Sequence, residues 1–537
     1  MNIVKLLYLK RKLHLIVAGV AFFIFSARLF DGPLRTYDEC YYAGQAKEIL
    51  VTGDWLTMHH ALEPNYENDP VYLWSMALMF KLFGVSEFCA RFPSAVYGAL
   101  CVLMVFLTAE RLRNYRFAIV SSLILAATWE FIRFSRYAHL DVCLSFFTAA
   151  AIYFFIRHEL SVEPPSSAKR LGYAAGCGIC AGFAILSKNI FGAFTIIAIA
   201  FYYLIKGDFK SLFSLNFFVA ALLAAVLPGA WYLYQYNVNG LEFFRVHFGY
   251  ILFKRAFDNS VEAAPAYQYL KILMLTYIPW LPAAMAGLFL ITKDFLCRNI
   301  SAAVRNKKAA PLFFCVIFVF LYIGVMSAAS AKKGWYIMPV YSQLAIISAL
   351  AIERFFCRGG VLKKKAREKS LLFISRFLFF MFFAAFIISV FPVKLYKNDN
   401  SDYKNEIAIY AKSLLAAAYN KKFIFQPVGF DCDYFDYQLP LVFYTGIIPR
   451  KSISASEIIT ALSKQRANSK GNKIEAVSDS SDKSIDFTEP NITFFSESDK
   501  FENILKDAGL ELNSCKIILK TSNYVIYEVR NKVIIKY

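Results

Sequence analysis

The stretch Arg35-Thr-Tyr-Asp38-Glu39-Cys-Tyr-Tyr42, with Tyr66-Glu67-Asn-Asp69-Pro70 further along the same segment, is acidic and polar, yet it lies between two long apolar runs. From Asp31 to Asp69 there are eight carboxylates (Asp31, Asp38, Glu39, Glu48, Asp54, Glu63, Glu67, Asp69) against two bases, Arg35 and Lys47. A plain connector needs no such concentration. The rest of the chain is of another kind: of 537 residues 58% are hydrophobic, 17% aromatic and only 18% charged. A soluble protein of that balance would expose too much apolar surface, so the bilayer is its natural solvent. The acidic segment is then a loop of a polytopic α-helical membrane protein. Its carboxylates, Asp38 and Glu67 first, mark a site at the membrane surface.

Spans need about 20 apolar residues each. They are expected near 13–30, 89–110, 115–132, 138–157, 171–187, 189–206, 211–236, 266–292, 310–330, 335–353 and 370–393. That gives about 11–13 transmembrane helices, with tight connections near 131–139, 188 and 331–335. The semi-polar stretches 38–51 and 70–84 look like amphipathic helices lying in the interface. Bases precede the first apolar run without a convincing cleavage site after it, so this run is expected to stay as an uncleaved span.

The net charge of +20 invites a nucleic-acid reading. The bases, however, gather in every second loop: Arg111, Arg113 and Arg116; Lys169 and Arg170; Lys206 and Lys210; Arg298, Arg305, Lys307 and Lys308; and the run 363–369. That is the positive-inside pattern, and it removes the need for nucleic acid. It puts the N-terminus inside and the loop 31–88 outside. Residues 1–396 form the membrane domain. Residues 397–537 form an extracytoplasmic domain, in which runs such as Phe423-Ile-Phe, Leu441-Val-Phe-Tyr, Ile492-Thr-Phe-Phe, Lys516-Ile-Ile-Leu and Tyr524-Val-Ile-Tyr alternate with helical stretches, as in a small α/β domain. The cysteines lack metal-type spacing; Cys177-Gly-Ile-Cys180 lies in an apolar span, and Cys432 and Cys515 are close enough in kind for a disulfide outside the cell.

This topology gathers the out-of-place polar residues on one face: Asp38, Glu39, Glu67, Asp69, Arg136, His139, Asp141, Lys188, His247, Lys332, Lys333 and Tyr336. Ionisable groups at a bilayer are costly and tend to be functional. Carboxylates suit general-base and metal-ligand work. Bases on the outer face run against the topology rule and want an anionic partner, which a phosphate at headgroup level supplies. Blander roles stand beside these. Asp38 fits a helix N-cap, Lys188 fits snorkelling, Asp141 fits a helix start or a salt bridge to Arg136, and His247 fits an interfacial histidine. His59 and His60 are adjacent, and side chains of neighbours diverge on most backbones.

Four stretches of the first loop, Tyr37-Asp38-Glu39, Leu50-Val-Thr-Gly53-Asp54-Trp55, Tyr66-Glu67-Asn68-Asp69-Pro70-Val-Tyr72-Leu-Trp74 and Phe88-Cys-Ala-Arg91-Phe-Pro93-Ser94, resemble in order and spacing the bacterial lipid A aminoarabinose transferase family. That family is related to the protein O-mannosyltransferases and shares the GT-C fold. Arg136-Tyr-Ala-His139-Leu-Asp141, Gly182-Phe-Ala-Ile-Leu-Ser-Lys188, Phe244-Arg-Val-His247-Phe and Lys333-Gly-Trp-Tyr336-Ile-Met-Pro339 extend the resemblance over residues 10–355. It implies a multi-pass protein of the bacterial inner membrane that moves a sugar, with inversion, from a polyprenyl-phosphate donor to an envelope acceptor such as lipid A. It implies Asp38 and Asp141 as catalytic acids of the cavity, Lys188 and Tyr336 as contacts to the carrier phosphate, and Glu67 with His247 as ligands of a divalent metal. Tyr41 and Asn68 stand where the family has an arginine and a lysine. Tyr41 is then a candidate substrate contact, and Arg136 and Lys333 are candidates to supply the missing charge. The competing class is a transporter, flippase or accessory protein for envelope glycan lipids. Transporters place polar sites near the midplane, often in repeated halves; here the polar groups sit at one surface and no repeat is visible.

Overall fold

The structure, a computed structural model, describes residues 3–34, 38–60, 62–161, 167–254, 256, 264–297, 310–357, 380, 427–430, 491–497, 515–520 and 524–530. Apart from residue 380, the expected span 370–393, the basic run 363–369 and the expected C-terminal helices lie outside the described residues, as does Cys432. By Cα proximity the chain divides into two units: Met1–Asp31 with Gln45–Leu395, and Gly32–Gly44 with Tyr396–Tyr537.

The first unit is helical. Helix α1 is Ile3–Ser26, and α2, Asp38–Thr52, begins in the second unit's segment and continues into the first. After a small hairpin of β1 (His59–His60) and β2 (Glu63–Pro64) come α3 (Pro70–Phe83), α4 (Glu87–Leu112), α5 (Tyr115–Ala126), α6 (Trp129–Ser135), α7 (Leu140–Glu159) and α8 (Ser167–Lys188). A 3-10 turn, Asn189–Ala193, leads into α9 (Phe194–Lys206), followed by the short α10 (Phe209–Leu212) and the long α11 (Leu215–Phe244). A π-helical segment, Arg245–Lys254, extends α11. The remaining helices are α12 (Gln268–Thr276), α13 (Leu281–Cys297), α14 (Ala310–Ala328) and α15 (Met338–Cys357). The two stretches expected as amphipathic helices, 38–51 and 70–84, are helical, as α2 and α3.

Among the described residues six helices are long and apolar enough to cross a membrane, or eight if each bent pair is one span. Two expected straight spans are bent instead. The one expected at 115–132 turns by 68° between α5 and α6, and the one at 266–292 turns by 120° between α12 and α13. At the second bend Pro279 has no N–H to offer the helix ladder. The tight connection expected at 188 is a fold-back: a Cβ on Gly192 would meet Ile185 N at 2.1 Å, so the turn after α8 lies directly on that helix's own backbone.

Local sequence explains the starts. Ser86, Asn114 and Ser214 cap α4, α5 and α11 by accepting from backbone N–H groups of the first turn. Pro70 opens α3, where a missing N–H costs nothing. Helix α7 packs on α4 and α8, and α8 packs on α11. Gly178 and Gly182 let α8 and α11 approach: a Cβ there would meet Ala220 O at 2.4 Å and the Leu227 side chain at 3.0 Å. These contacts put the C-terminal end of α8 beside the start of α7.

In the second unit the described strands β3 (Pro427–Phe430), β4 (Asn491–Glu497), β5 (Cys515–Lys520) and β6 (Tyr524–Arg530) form a sheet of order β3-β4-β6-β5. β3 runs parallel to β4, while β6 is antiparallel to both neighbours, with Asn491 opposite Arg530 and Glu497 opposite Tyr524. Three of the expected strands are these last three; those at 423–425 and 441–444 lie outside the described residues.

Candidate active site

Two polar clusters form within the first unit. The first begins at the cap of α7, where His139 holds extended backbone and Asp141 follows in the first turn. Asp141 is fully buried, and Lys188 Nζ, from the last residue of α8, lies 2.5 and 2.6 Å from its two oxygens. His139 Nδ1 is 3.0 Å from Asp141 Oδ2 and 3.4 Å from the Asp141 amide. The carboxylate contact is the shorter, and a ring lone pair would be repelled by it, so we take Nδ1 to carry the proton. The His139 ring packs edge-on against Phe134 (4.8 Å) and Trp335 (5.6 Å), and its backbone N–H donates to Ser94 Oγ at 3.2 Å. Lys188 Nζ also sits 4.5 Å over the Tyr336 ring and 5.6 Å from that of Phe191. One ammonium is thus aimed by a carboxylate and two aromatic faces.

The fold explains this convergence. The α8 helix stops at Lys188 because Asn189 takes a positive φ of 52°, a conformation that asparagine tolerates better than most residues. The Asn189 side chain accepts from Ile190 N at 2.7 Å and donates to His247 O at 3.4 Å, which links the first cluster to the second.

The second cluster clasps the acidic loop. The His247 ring is fully buried, stacked 4.9 Å from Phe243, and its Nδ1 bonds the Tyr66 carbonyl at 2.7 Å. Nε2 lies 3.5 Å from Asp69 Oδ1 without a hydrogen bond, and it has no hydrogen-bond partner among the described residues. Tyr232 donates to the same Asp69 oxygen at 3.3 Å. Along the same face of α11, Trp231 and Gln235 both donate to Leu56 O, at 2.9 and 2.7 Å, and Asn239 accepts from Tyr66 Oη at 3.3 Å. On the other side Gln45 of α2 bridges Asn65 (3.0 Å) and Asn68 (3.1 Å), while Glu67 N–H donates to Asn65 Oδ1 at 3.1 Å. The loop is therefore a fixed structure, held by polar side chains from two helices.

The expected site residues fall as follows. Asp141, Lys188 and Tyr336 come together. His247 meets the first loop, and the acid whose contact to its ring is described is Asp69, two residues after Glu67. An unsatisfied imidazole nitrogen facing a carboxylate is donor chemistry that suits a divalent ion. Among the described residues, however, no group of three or more His, Cys, Asp or Glu side chains is arranged to hold a metal. Arg136 donates to Ala27 O at 2.8 Å, fastening the end of α1, and Lys333 lies 5.9 Å from the Trp335 ring. Asp38 opens α2, and Tyr41 on the next turn is buried with its ring 6.0 Å from Tyr42; both belong to the second unit's segment. His59 and His60 do diverge: His60 is buried while His59 is half-buried, and burial pulls the His60 imidazole down to about 4. Sequence reading missed Trp231, Tyr232, Gln235 and Asn239. Polar groups at one-helix-face spacing inside an apolar span were the available signal.

Fold and site together define a multi-span helical membrane protein with ionisable groups gathered at the ends of its helices. The sequence profile described as dolichyl-phosphate-mannose-protein mannosyltransferase matches residues 15–244. An uncharacterized protein of Aquifex aeolicus is 28% identical over 338 residues, 63% of this chain and 62% of that one. The undecaprenyl phosphate-alpha-4-amino-4-deoxy-L-arabinose arabinosyl transferase of Aeromonas hydrophila is 27% identical over 333 residues, 61% of this chain and 57% of that one. The chain thus spans about three fifths of the length of these curated relatives. Among solved structures, ArnT from Cupriavidus metallidurans bound to undecaprenyl phosphate superposes with a TM-score of 0.67 at 17% identity, covering 99% of both chains. The Archaeoglobus fulgidus oligosaccharyltransferase AglB gives 0.55 at 14% identity, covering 93% of this chain and 71% of that one. Over its membrane part the chain is thus similar to protein mannosyltransferases and aminoarabinose transferases, and it shares the fold of the solved ArnT.

Proposed function

We propose that the chain is a membrane glycosyltransferase that moves a sugar from an undecaprenyl-phosphate type donor to an envelope acceptor such as lipid A. The observation that carries this reading is the Lys188 ammonium held by buried Asp141 against the Tyr336 ring, an anion-binding group built at a helix end. Relatives such as that of Aeromonas hydrophila are named for undecaprenyl phosphate-aminoarabinose transfer, and the solved ArnT holds undecaprenyl phosphate. Alternation of basic loops supports an inner-membrane protein with its site and C-terminal domain on the extracytoplasmic face.

In this mechanism the carrier phosphate docks on Lys188 and Tyr336, with Arg136 and Lys333 as further contacts and Tyr41 as the substrate contact that the family resemblance implies. Asp38 takes the proton of the attacking acceptor group as the new bond forms at the anomeric carbon. The bond from that carbon to the phosphate oxygen breaks, and polyprenyl phosphate leaves from the opposite side, which inverts the centre. Asp141 is better suited to positioning than to contact with the substrate, because it is fully buried and both oxygens are engaged by Lys188 and His139. A divalent metal, if bound, would be held by Glu67 and His247 Nε2, and would add positive charge beside the loop. Transfer of a labelled sugar from the lipid-linked donor to envelope lipid tests the reading. Asp38→Asn should abolish transfer while leaving a normally folded protein, and near-normal turnover in that variant would remove Asp38 from the mechanism.

A further inference from the structure

Among the described residues, two hydroxyl groups close to the Lys188 cluster have nothing to donate to. Tyr269, in the first turn of α12, and Tyr322, on α14, are both 0% exposed, and neither phenol oxygen has a hydrogen-bond partner among the described residues. A buried donor without an acceptor is rare, because it has lost its water and gained nothing in return. Most buried tyrosines of this protein do better: Tyr72 bonds Ser94 at 2.7 Å, Tyr277 bonds Ser348 at 3.2 Å and Tyr341 bonds Thr276 at 2.7 Å.

Their location matters as much as their lack of partners. The Tyr322 ring lies 4.7 Å from Phe194, just past the turn that begins after Lys188. Phe191 in that turn lies 5.6 Å from the Tyr336 ring, over which Lys188 Nζ sits at 4.5 Å. Asp141 acts electrostatically on both phenols, and Tyr269 interacts in the same way with Tyr336 and with Tyr322. Asp141 does not need them, since Lys188 and His139 already engage it. What this corner lacks is an acceptor.

An acceptor of the right kind is supplied by the reading above. A phosphate ester brings several non-bridging oxygens, while the one ammonium here is largely neutralised by Asp141. Neutral O–H groups add hydrogen bonds without adding a further buried charge. We propose that Tyr269 and Tyr322 are phosphate ligands, whose hydroxyls donate to non-bridging oxygens of the lipid carrier once it docks on Lys188. The inference rests on the carrier reading under Proposed function, and the test separates the two.

The full-length protein, Tyr269→Phe, Tyr322→Phe and the double variant are compared for affinity towards undecaprenyl phosphate and for melting temperature without lipid. Each single change should weaken binding about tenfold, and the double change more, as for loss of a hydrogen bond to a charged group. The lipid-free melting temperature should stay level or rise, since no hydrogen bond inside the protein is lost. A double variant that binds within about twofold of the parent overturns the proposal. So does a lowered lipid-free melting temperature in the single variants, which would show that the hydroxyls bond the protein itself. A parent protein that melts cooperatively but has no affinity for the lipid phosphate refutes the carrier reading, and this inference falls with it.

Discussion

Asp141→Asn should destabilise the protein strongly, and adding Lys188→Gln should give much of that loss back. Nζ lies 2.5 and 2.6 Å from the two carboxylate oxygens, Asp141 is 0% exposed and the Lys188 side chain is 15% exposed. At an effective dielectric of about 20, a charge pair this close attracts by roughly 6 kcal/mol. Burying the two ions costs several kcal/mol each, so the intact pair is worth little net. Removing one partner is another matter, because the desolvation cost of the other remains, and such changes cost about 3–5 kcal/mol. Lys188 keeps some exposure and can turn towards solvent, so the lower end, about 3 kcal/mol, is the expectation. The double variant replaces two charges with amides and should sit well above the sum of the singles, with a coupling of about 1–3 kcal/mol. Thermal unfolding of the four purified proteins under one condition reads the order directly. If the two single losses simply add, Lys188 and Asp141 do not act as a pair, and the positioning role given to Asp141 fails.

Other consequences follow from the loop cluster. Metal analysis of the purified protein by mass spectrometry should find a divalent ion in the parent and none in His247→Ala; equal metal content in both would take His247 out of the ligand set. Gln235→Ala removes the 2.7 Å bond to Leu56 O and its contacts to Thr57 and Asn239, costing about 1–2 kcal/mol locally. Amide exchange around residues 55–60 should then speed up about tenfold, and unchanged exchange would show that the clasp does not hold the loop. His60 gives a pH dependence: its folded value of about 4 lies below the ordinary 6.5, so the unfolded chain binds the proton first. Stability from keeping His60 neutral is present above pH 6.5 and is lost as pH falls towards 4. A His60→Phe variant should show a shallower decline in that window, and an equal slope would assign the decline to other groups.

Much of this architecture could be read from the chain. The helices at 38–51 and 70–84, the fold-back at Lys188 and three strands of the C-terminal sheet follow from apolar run length, breaker residues and alternation. What could not be read was pairing across distance. Asp141 is 47 residues from its partner Lys188, and the nearer base, Arg136, goes instead to Ala27 O at the end of α1. Sequence proximity favoured Arg136, but the α7–α8 packing decides. The same holds for His247, whose bond to the Tyr66 carbonyl spans 181 residues of sequence. The polar stripe on α11 was hidden for another reason. A hydropathy window averages Trp231, Gln235 and Asn239 into a span that is apolar overall, although these side chains do the work of holding the loop.

The electrostatics of the Lys188 corner limit what kind of ligand it can serve. A bare ammonium at a buried helix end would lose its charge or swing away, and pairing with Asp141 keeps it charged and aimed. That same pairing halves its use as an anion trap, because a phosphate must share the ammonium with a carboxylate it repels. His139 bears on the balance, since its Nδ1–H at 3.0 Å shares Asp141 Oδ2 with the ammonium. Aromatic faces of Tyr336 and Phe191 stabilise the cation without competing for its protons. Such a corner favours an anion that brings its own binding elsewhere, as a lipid tail in a groove between helices does, over a small free anion that depends on charge alone. Inorganic phosphate should therefore compete poorly with a polyprenyl phosphate for this site. Strong competition by millimolar phosphate would show that Lys188 acts as a simple charge trap and that Asp141 does not temper it.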